Sequence, residues 1–155
     1  MSNPKRMLFI GVVLFLLVGC TTDTNNGTNG DKNTVELTKI SNLNNDIDQQ
    51  PANKAKDILS QKKNVTAVKA VNTSKKLLIT IEVPHHERFQ LASTRKKLKD
   101  EMKKKFPKME VELSTDQKII LEVEKLEKKL QKGSIKKKDL EKKVKKIMDL
   151  SQEQT

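Results

Sequence analysis

The stretch LLITIEVP, residues 77–84, decides the fold. Leu77, Ile79, Ile81 and Val83 alternate with Leu78, Thr80 and Glu82, and a period of two sends successive side chains to opposite faces of a strand. Pro84 cannot donate to a ladder and ends the element. The alternation reads as a strand with one buried side.

Reading outward toward the C-terminus, HHERFQLASTRKKLKDEMKKKF, residues 85–106, places Leu91, Leu98, Met102 and Phe106 within about one third of a helical wheel, taking 100° per residue. This main helix is stopped by Pro107. KMEVELS, residues 108–114, returns to period two, with Met109, Val111 and Leu113 alternating with charged neighbours, and reads as a further strand. Ser114 with Gln117 matches the S-x-x-Q capping box, which predicts a helix from Thr115 or Asp116 carrying Ile119, Val123, Leu126 and Leu130 as its stripe. Gly133-Ser134 has the form of a C′ residue followed by a new N-cap, opening a last helix from about Ile135 to Leu150.

Toward the N-terminus, the turn cluster NTSKK separates LLITIEVP from VTAVKAV, residues 65–71, rich in β-branched residues. Before it, Pro51 is placed as an N1 residue, and Ala52, Ala55, Ile58 and Leu59 come after it at helical spacing in a helix ending near Lys62.

The predicted fold is α+β: a small three-stranded sheet with helices on one face, in αββαβ order, followed by two C-terminal Lys-rich helices. The first strand is favoured as the central one, because its only charge is Lys69, although a hairpin plus crossover also permits the second strand in the middle. Val123, Leu126, Leu130, Leu140, Val144 and Ile147 keep one seven-residue register across Gly133. A continuous helix would make them a coiled-coil seam; a break at Gly133 is preferred, since Ser after Gly is also a cap signal.

At the other end, Lys5 and Arg6 precede an apolar or Gly run from Met7 to Val18, the length of a signal-peptide h-region. Twelve residues of helix rise roughly 18 Å, short of a bilayer core of about 30 Å. The chain has one cysteine, Cys20, so an intramolecular disulfide is excluded. The adjoining stretch TTDTNNGTNGDKNT, residues 21–34, is too polar to offset its ordering entropy and is expected to be a disordered tether. Leu17-Val18-Gly19-Cys20 resembles the lipobox of bacterial lipoproteins, which implies cleavage between Gly19 and Cys20 and acylation of Cys20. Two or more acyl chains give stable membrane anchoring where one is marginal.

The expected organisation is therefore a cleaved signal peptide at 1–19, a lipidated cysteine and disordered polar tether at 20–50, an α+β domain at 51–132 and a basic C-terminal helix at 133–155. Val35, Leu37 and Ile40 form a short apolar patch in the tether, read as loop residues, with a strand or docking segment as the alternatives.

The composition of the 155-residue chain bounds its chemistry. Lys and Arg total 32 against 20 acids, a net +12, with four Phe and no Trp or Tyr. So few aromatics argue against a stacking surface for nucleic acid and against an aromatic-lined pocket. Loss of residues 1–19 leaves a net +10, which points to an anionic lipid surface, a wall polymer or a protein partner.

His85-His86-Glu87 is the one cluster with ligand-like side chains, but no H-E-x-x-H spacing or second cysteine completes a metal site. It reads as a solvated strand-to-helix junction, so no metal, cofactor or catalytic residue is assigned, and the chain is read as a non-enzyme. The conspicuous feature is basic: Lys96, Lys97, Lys99, Lys103, Lys104 and Lys105 on the main helix are the candidate anionic-surface residues. From Lys125 to Lys146, eleven Lys stand against three acids. A solvated helical face accounts for part of this charge, with Glu124–Lys128, Asp139–Lys143 and Glu141–Lys145 spaced as i,i+4 pairs.

With the lipobox, the Asn/Thr/Gly-rich tether and the segments AKDILSQKKNVTAVKAV, LLITIEV, STRKKLKDEMKKKFP and VELSTDQKIILEVEKL, the chain resembles the sporulation lipoproteins of the YhcN/YlaJ family. The resemblance implies residence on the outer face of a cell or spore membrane, a contribution to spore formation or germination, and no catalytic signature. The element order also looks like the ring-building modules of secretion and sporulation assemblies, so self-assembly through a sheet edge or the C-terminal seam is the alternative reading.

Overall fold

The computed structural model describes residues 37–40 and 48–153. The expected signal peptide, the expected cleavage and lipidation site at Gly19–Cys20, Val35 and most of the expected tether lie outside the described residues.

The elements are α1 (Gln50–Ser60), β1 (Ala67–Asn72), β2 (Lys76–Glu82), a 3-10 helix (His85–Gln90), α2 (Leu91–Lys105), β3 (Glu110–Ser114), α3 (Gln117–Gln131) and α4 (Lys137–Glu153). This is the αββαβ order with two further helices that the residue pattern predicts.

The sheet order is β1-β2-β3, with β1 antiparallel and β2 parallel to its neighbour β3. The central strand is thus β2, which corrects the expectation of a central first strand. The scarcity of charge in β1 that suggested a central place has another cause, since Val68 and Ala70 face one helix layer and Val71 the other. Leu77 to Ile81 are buried on both sides, which corrects the reading of this strand as having one buried side. Leu77, Ile79 and Ile81 join Val68, Ala70, Val111 and Leu113 beneath α1 and α2. Val71 and Leu78 face the opposite core, built from Ile119, Val123, Leu126 and Leu130 of α3 and Leu140, Val144, Ile147 and Met148 of α4. Each of these larger aliphatic side chains contributes roughly 1.5–3 kcal/mol by leaving water. The C-terminal pair therefore covers the face of the sheet that α1 and α2 leave open.

The helix termini follow local chemistry. In α1, Gln50 N donates to Asp48 Oδ1 at 2.8 Å, Pro51 has no N–H, and Ala52 N donates to Asn72 Oδ1 at 3.0 Å. The first turn is capped from the end of β1. For α3 the N-cap is Asp116, which accepts from Lys118 N and Ile119 N. This corrects the Ser114 capping box, since Ser114 Oγ instead accepts from Asp116 N.

The helix does break at Gly133, whose φ is 61°. Gly133 N donates to Leu130 O and Ser134 N to Lys129 O, the paired bonds of a Schellman motif. Ser134 also donates its hydroxyl to Lys129 O, so it closes α3 and does not cap α4, which starts at Lys137.

Residues 37–40 have no regular secondary structure, as a loop reading expects, but they pack on the fold, which corrects their place in a disordered tether and matches the docking-segment alternative. Leu37 packs on the α1/α2 core, while Ile40 is buried in the α3/α4 core. Asn53 clamps Ile40 through both backbone groups, at 3.1 Å to its N and 2.9 Å to its O. Because β1 is an edge strand, a segment crossing that edge gains apolar contact with both layers.

Candidate functional site

Of the six candidate lysines on α2, Lys96, Lys97, Lys103, Lys104 and Lys105 are exposed. Lys96, Lys97, Lys103 and Lys104 lie off the side of the helix on which Leu98 and Met102 are buried, while Lys105, seven residues from Leu98, is exposed at the helix's C-terminal end. None of the five makes an ion pair among the described residues. Lys99 is different: its Nζ donates to Glu112 Oε2 at 2.7 Å, and the Glu112 side chain is only 2% exposed. Glu112 points to the α3/α4 side of β3 and also receives Ser151 Oγ at 3.2 Å. Lys99 thus reaches past the edge of β3 and holds the two layers together, and it leaves the set of surface-binding candidates.

A second cationic surface lies on α4. Leu140, Val144, Ile147 and Met148 face the core, and helical geometry turns Lys138, Lys142, Lys145 and Lys146 outward. On α3 the cations are partly neutralised. Lys125 pairs with Glu122, and Lys128 with Glu124. Those hydrogen bonds are the main cause holding both glutamates below the ordinary carboxylate range, with Lys69 adding to the effect at Glu124. The α2 and α4 layers are on opposite faces of the sheet. A flat anionic surface can therefore meet one basic helix face or the other, but not both.

A third group of charges is internal. Lys56, fully buried on α1, donates to Glu127 Oε1 of α3 at 2.7 Å and to Thr38 O. Glu127 Oε1 also accepts Ala70 N from β1 at 3.0 Å. The outer edge of β1 is closed further by Gln49, whose side-chain amide accepts from Asn72 N at 3.0 Å and donates to Asn72 O at 2.8 Å. At the other edge of the sheet, Val111 to Ser114 are all buried. The seam residues Val123, Leu126, Leu130, Leu140, Val144 and Ile147 are buried within this chain. Among the described residues, the seam and Val111 to Ser114 are thus covered within this chain, while Ala67 and Lys69 on β1 stay half-buried.

His85 and His86 are exposed on the 3-10 helix, and His86 Nε2 stands 3.9 Å from Glu87 Oε1. Among the described residues no group of three His, Cys, Asp or Glu gathers closely enough to hold a metal ion. No described helix is long and apolar enough to cross a membrane. A hollow of about 260 Å³ opens where β2 ends, lined by Ile81, Glu82, Val83, Arg88, Leu91, Thr115, Gln117 and Ile120.

Residue pattern located the lysines of α2 but missed the pairing of Lys99 and the burial of Lys56 and Glu127. A lysine in a lysine-rich segment carries no local sign of a partner 71 residues away. Comparison with protein-family models, with curated proteins and with solved structures found no match.

Proposed function

We propose that this chain is a non-enzymatic bacterial lipoprotein, anchored through Cys20 to the outer face of a cell or spore membrane, whose basic domain binds an anionic lipid surface. The observation that carries the reading is the row of exposed, unpaired lysines on α2, at Lys96, Lys97, Lys103, Lys104 and Lys105. Each lysine near an anionic leaflet contributes up to about 1 kcal/mol within a Debye length. Lysine outnumbers arginine heavily, which suits diffuse attraction more than bidentate recognition. Lipid anchor and basic face then act as two signals in series. The resemblance to sporulation lipoproteins adds the setting, spore formation or germination.

Two measurements test this. Fluorescent fusions of the wild type and Cys20→Ala, tracked through sporulation and germination, should separate into membrane-bound and released protein. The chain from residue 20 onward, with Cys20→Ser, should sediment with phosphatidylglycerol vesicles at low salt and be released by added salt. Unchanged retention of Cys20→Ala would remove the anchor, and salt-independent or absent vesicle binding would remove the electrostatic part.

A further inference from the structure

Phe89 is 100% exposed. It lies in the 3-10 helix His85–Gln90, none of whose six residues is buried. A lone apolar side chain on a surface is ordinary, so its surroundings decide what it means. Among the described residues it is the only exposed Phe, Tyr or Trp, since the other described Phe, Phe106, is buried beside α2.

The neighbouring residues Arg88 and Leu91 line the 260 Å³ hollow, whose apolar walls are Ile81, Val83 and Ile120. Position 89 is thus an aromatic tip beside an open recess of mixed polarity, in which Glu82, Arg88, Thr115 and Gln117 stand among the apolar walls. The helix that starts immediately afterward, α2, brings Arg95, Lys96 and Lys97 into its second turn. Glu82 and Glu87 are the acids close to the tip in sequence. A second copy of a chain with this excess of positive charge is a poor occupant, because like charges would be brought together. An anionic bilayer satisfies both features, taking the ring into its interfacial layer and the cations among its headgroups.

We propose that Phe89 inserts into an anionic lipid bilayer and thereby selects the α2 face, not the opposed α4 face, as the one that meets the membrane. This rests on the lipid-surface reading above and adds its point of entry and orientation. Insertion returns to an apolar medium a ring that folding leaves in water. The 3-10 helix can present it without disturbing the core, because nothing in that turn is packed inside.

The chain has no Trp or Tyr, so Phe89→Trp creates a single fluorescent reporter at the tip. The experiment uses residues 20–155 with Cys20→Ser, which retains both cores whole, since they lie within residues 37–153. With phosphatidylglycerol-containing vesicles, the Phe89→Trp emission should shift to the blue and be quenched by lipids brominated on their acyl chains. Pure phosphatidylcholine vesicles should give a much smaller shift. Phe89→Ala should weaken vesicle binding about tenfold or more, the factor expected for returning an aromatic ring to water. Reversal at Lys96 and Lys103 should weaken binding, whereas reversal at Lys138 and Lys142 should not. Sedimentation with vesicles but unshifted emission would overturn the insertion and leave the lipid-surface reading standing. Failure to sediment at low salt would overturn both. A blue shift that grows with protein concentration without vesicles would assign the tip to a second copy and overturn the proposal.

Discussion

Lys56 Nζ and Glu127 Oε1 lie 2.7 Å apart, with side chains 0% and 5% exposed, joining α1 to α3 across the edge of β1. The same carboxylate oxygen accepts the backbone N–H of Ala70, and the same ammonium donates to Thr38 O. One charge pair therefore ties together both helical layers, the edge strand and the segment 37–40. Removing one member strands the other in a low-dielectric interior, which is typically costlier than the pair is stabilising.

Lys56→Met and Glu127→Leu should each lower unfolding free energy by about 3–5 kcal/mol. The double variant should lose clearly less than the sum of the two, because neither charge is then left alone. Urea denaturation of the four proteins checks this. Additive losses would mean that the two groups are not energetically coupled.

Asn72→Ala removes the acceptor for Ala52 N and the donor to Asp48 O and Thr73 O. A loss of about 2 kcal/mol is expected, the cost of an orphaned helix N-terminus and buried partners. Asn72→Asp keeps the acceptor and should recover part of it. Amide hydrogen exchange at Ala52 should speed up in the alanine variant and stay protected in the aspartate variant.

Gly133→Ala has opposite expected signs for two structures of the C-terminus. In a continuous helix it would stabilise by about 1 kcal/mol through propensity. With Gly133 at φ 61° it should destabilise by about 1–2 kcal/mol, because a Cβ crowds the following carbonyl in the left-handed region. The shift in the urea midpoint reads the sign directly.

Charge reversal should separate Lys99 from its neighbours. Lys99→Glu faces the buried Glu112 and should destabilise by about 2 kcal/mol or more, on the order of a broken buried pair. Lys103→Glu with Lys104→Glu should leave stability within about 0.5 kcal/mol. That second variant should nonetheless bind phosphatidylglycerol vesicles more weakly. Thermal melts and vesicle sedimentation on the same samples check the two halves.

Glu124 should titrate below an ordinary glutamate, because Lys128 donates to it and Lys69 adds charge nearby. A carboxylate with a depressed folded value contributes stability above its unfolded value, and that contribution is lost as pH falls through the folded one. Glu124 is partly exposed, so the contribution is small and screened by salt. Carbon-detected NMR titration should show Lys128→Met moving Glu124 back toward the usual range.

Much of the chain's architecture is determined by local pattern alone. LLITIE is a strand because it is short, apolar and rich in the β-branched residues Ile79, Thr80 and Ile81, α2 is a helix because Leu91, Leu98 and Met102 recur on one side, and Gly133 ends α3 because a residue there must accept positive φ. These are short-range effects of backbone sterics and side-chain period, and they are written within a few residues.

Tertiary structure alone decided which strand is central, which side of the sheet each helix layer covers, and which charges are surface and which are structure. Val71 and Leu78 read as ordinary strand residues until α3 and α4 settle over them. Lys99 and Lys56 look like any other lysine in a chain with 32 basic residues. The distinguishing feature of each is a carboxylate brought near by folding, Glu112 and Glu127, and a removal from water that no local spacing encodes. Burial makes a charge expensive unless a partner arrives, and partners arrive through topology.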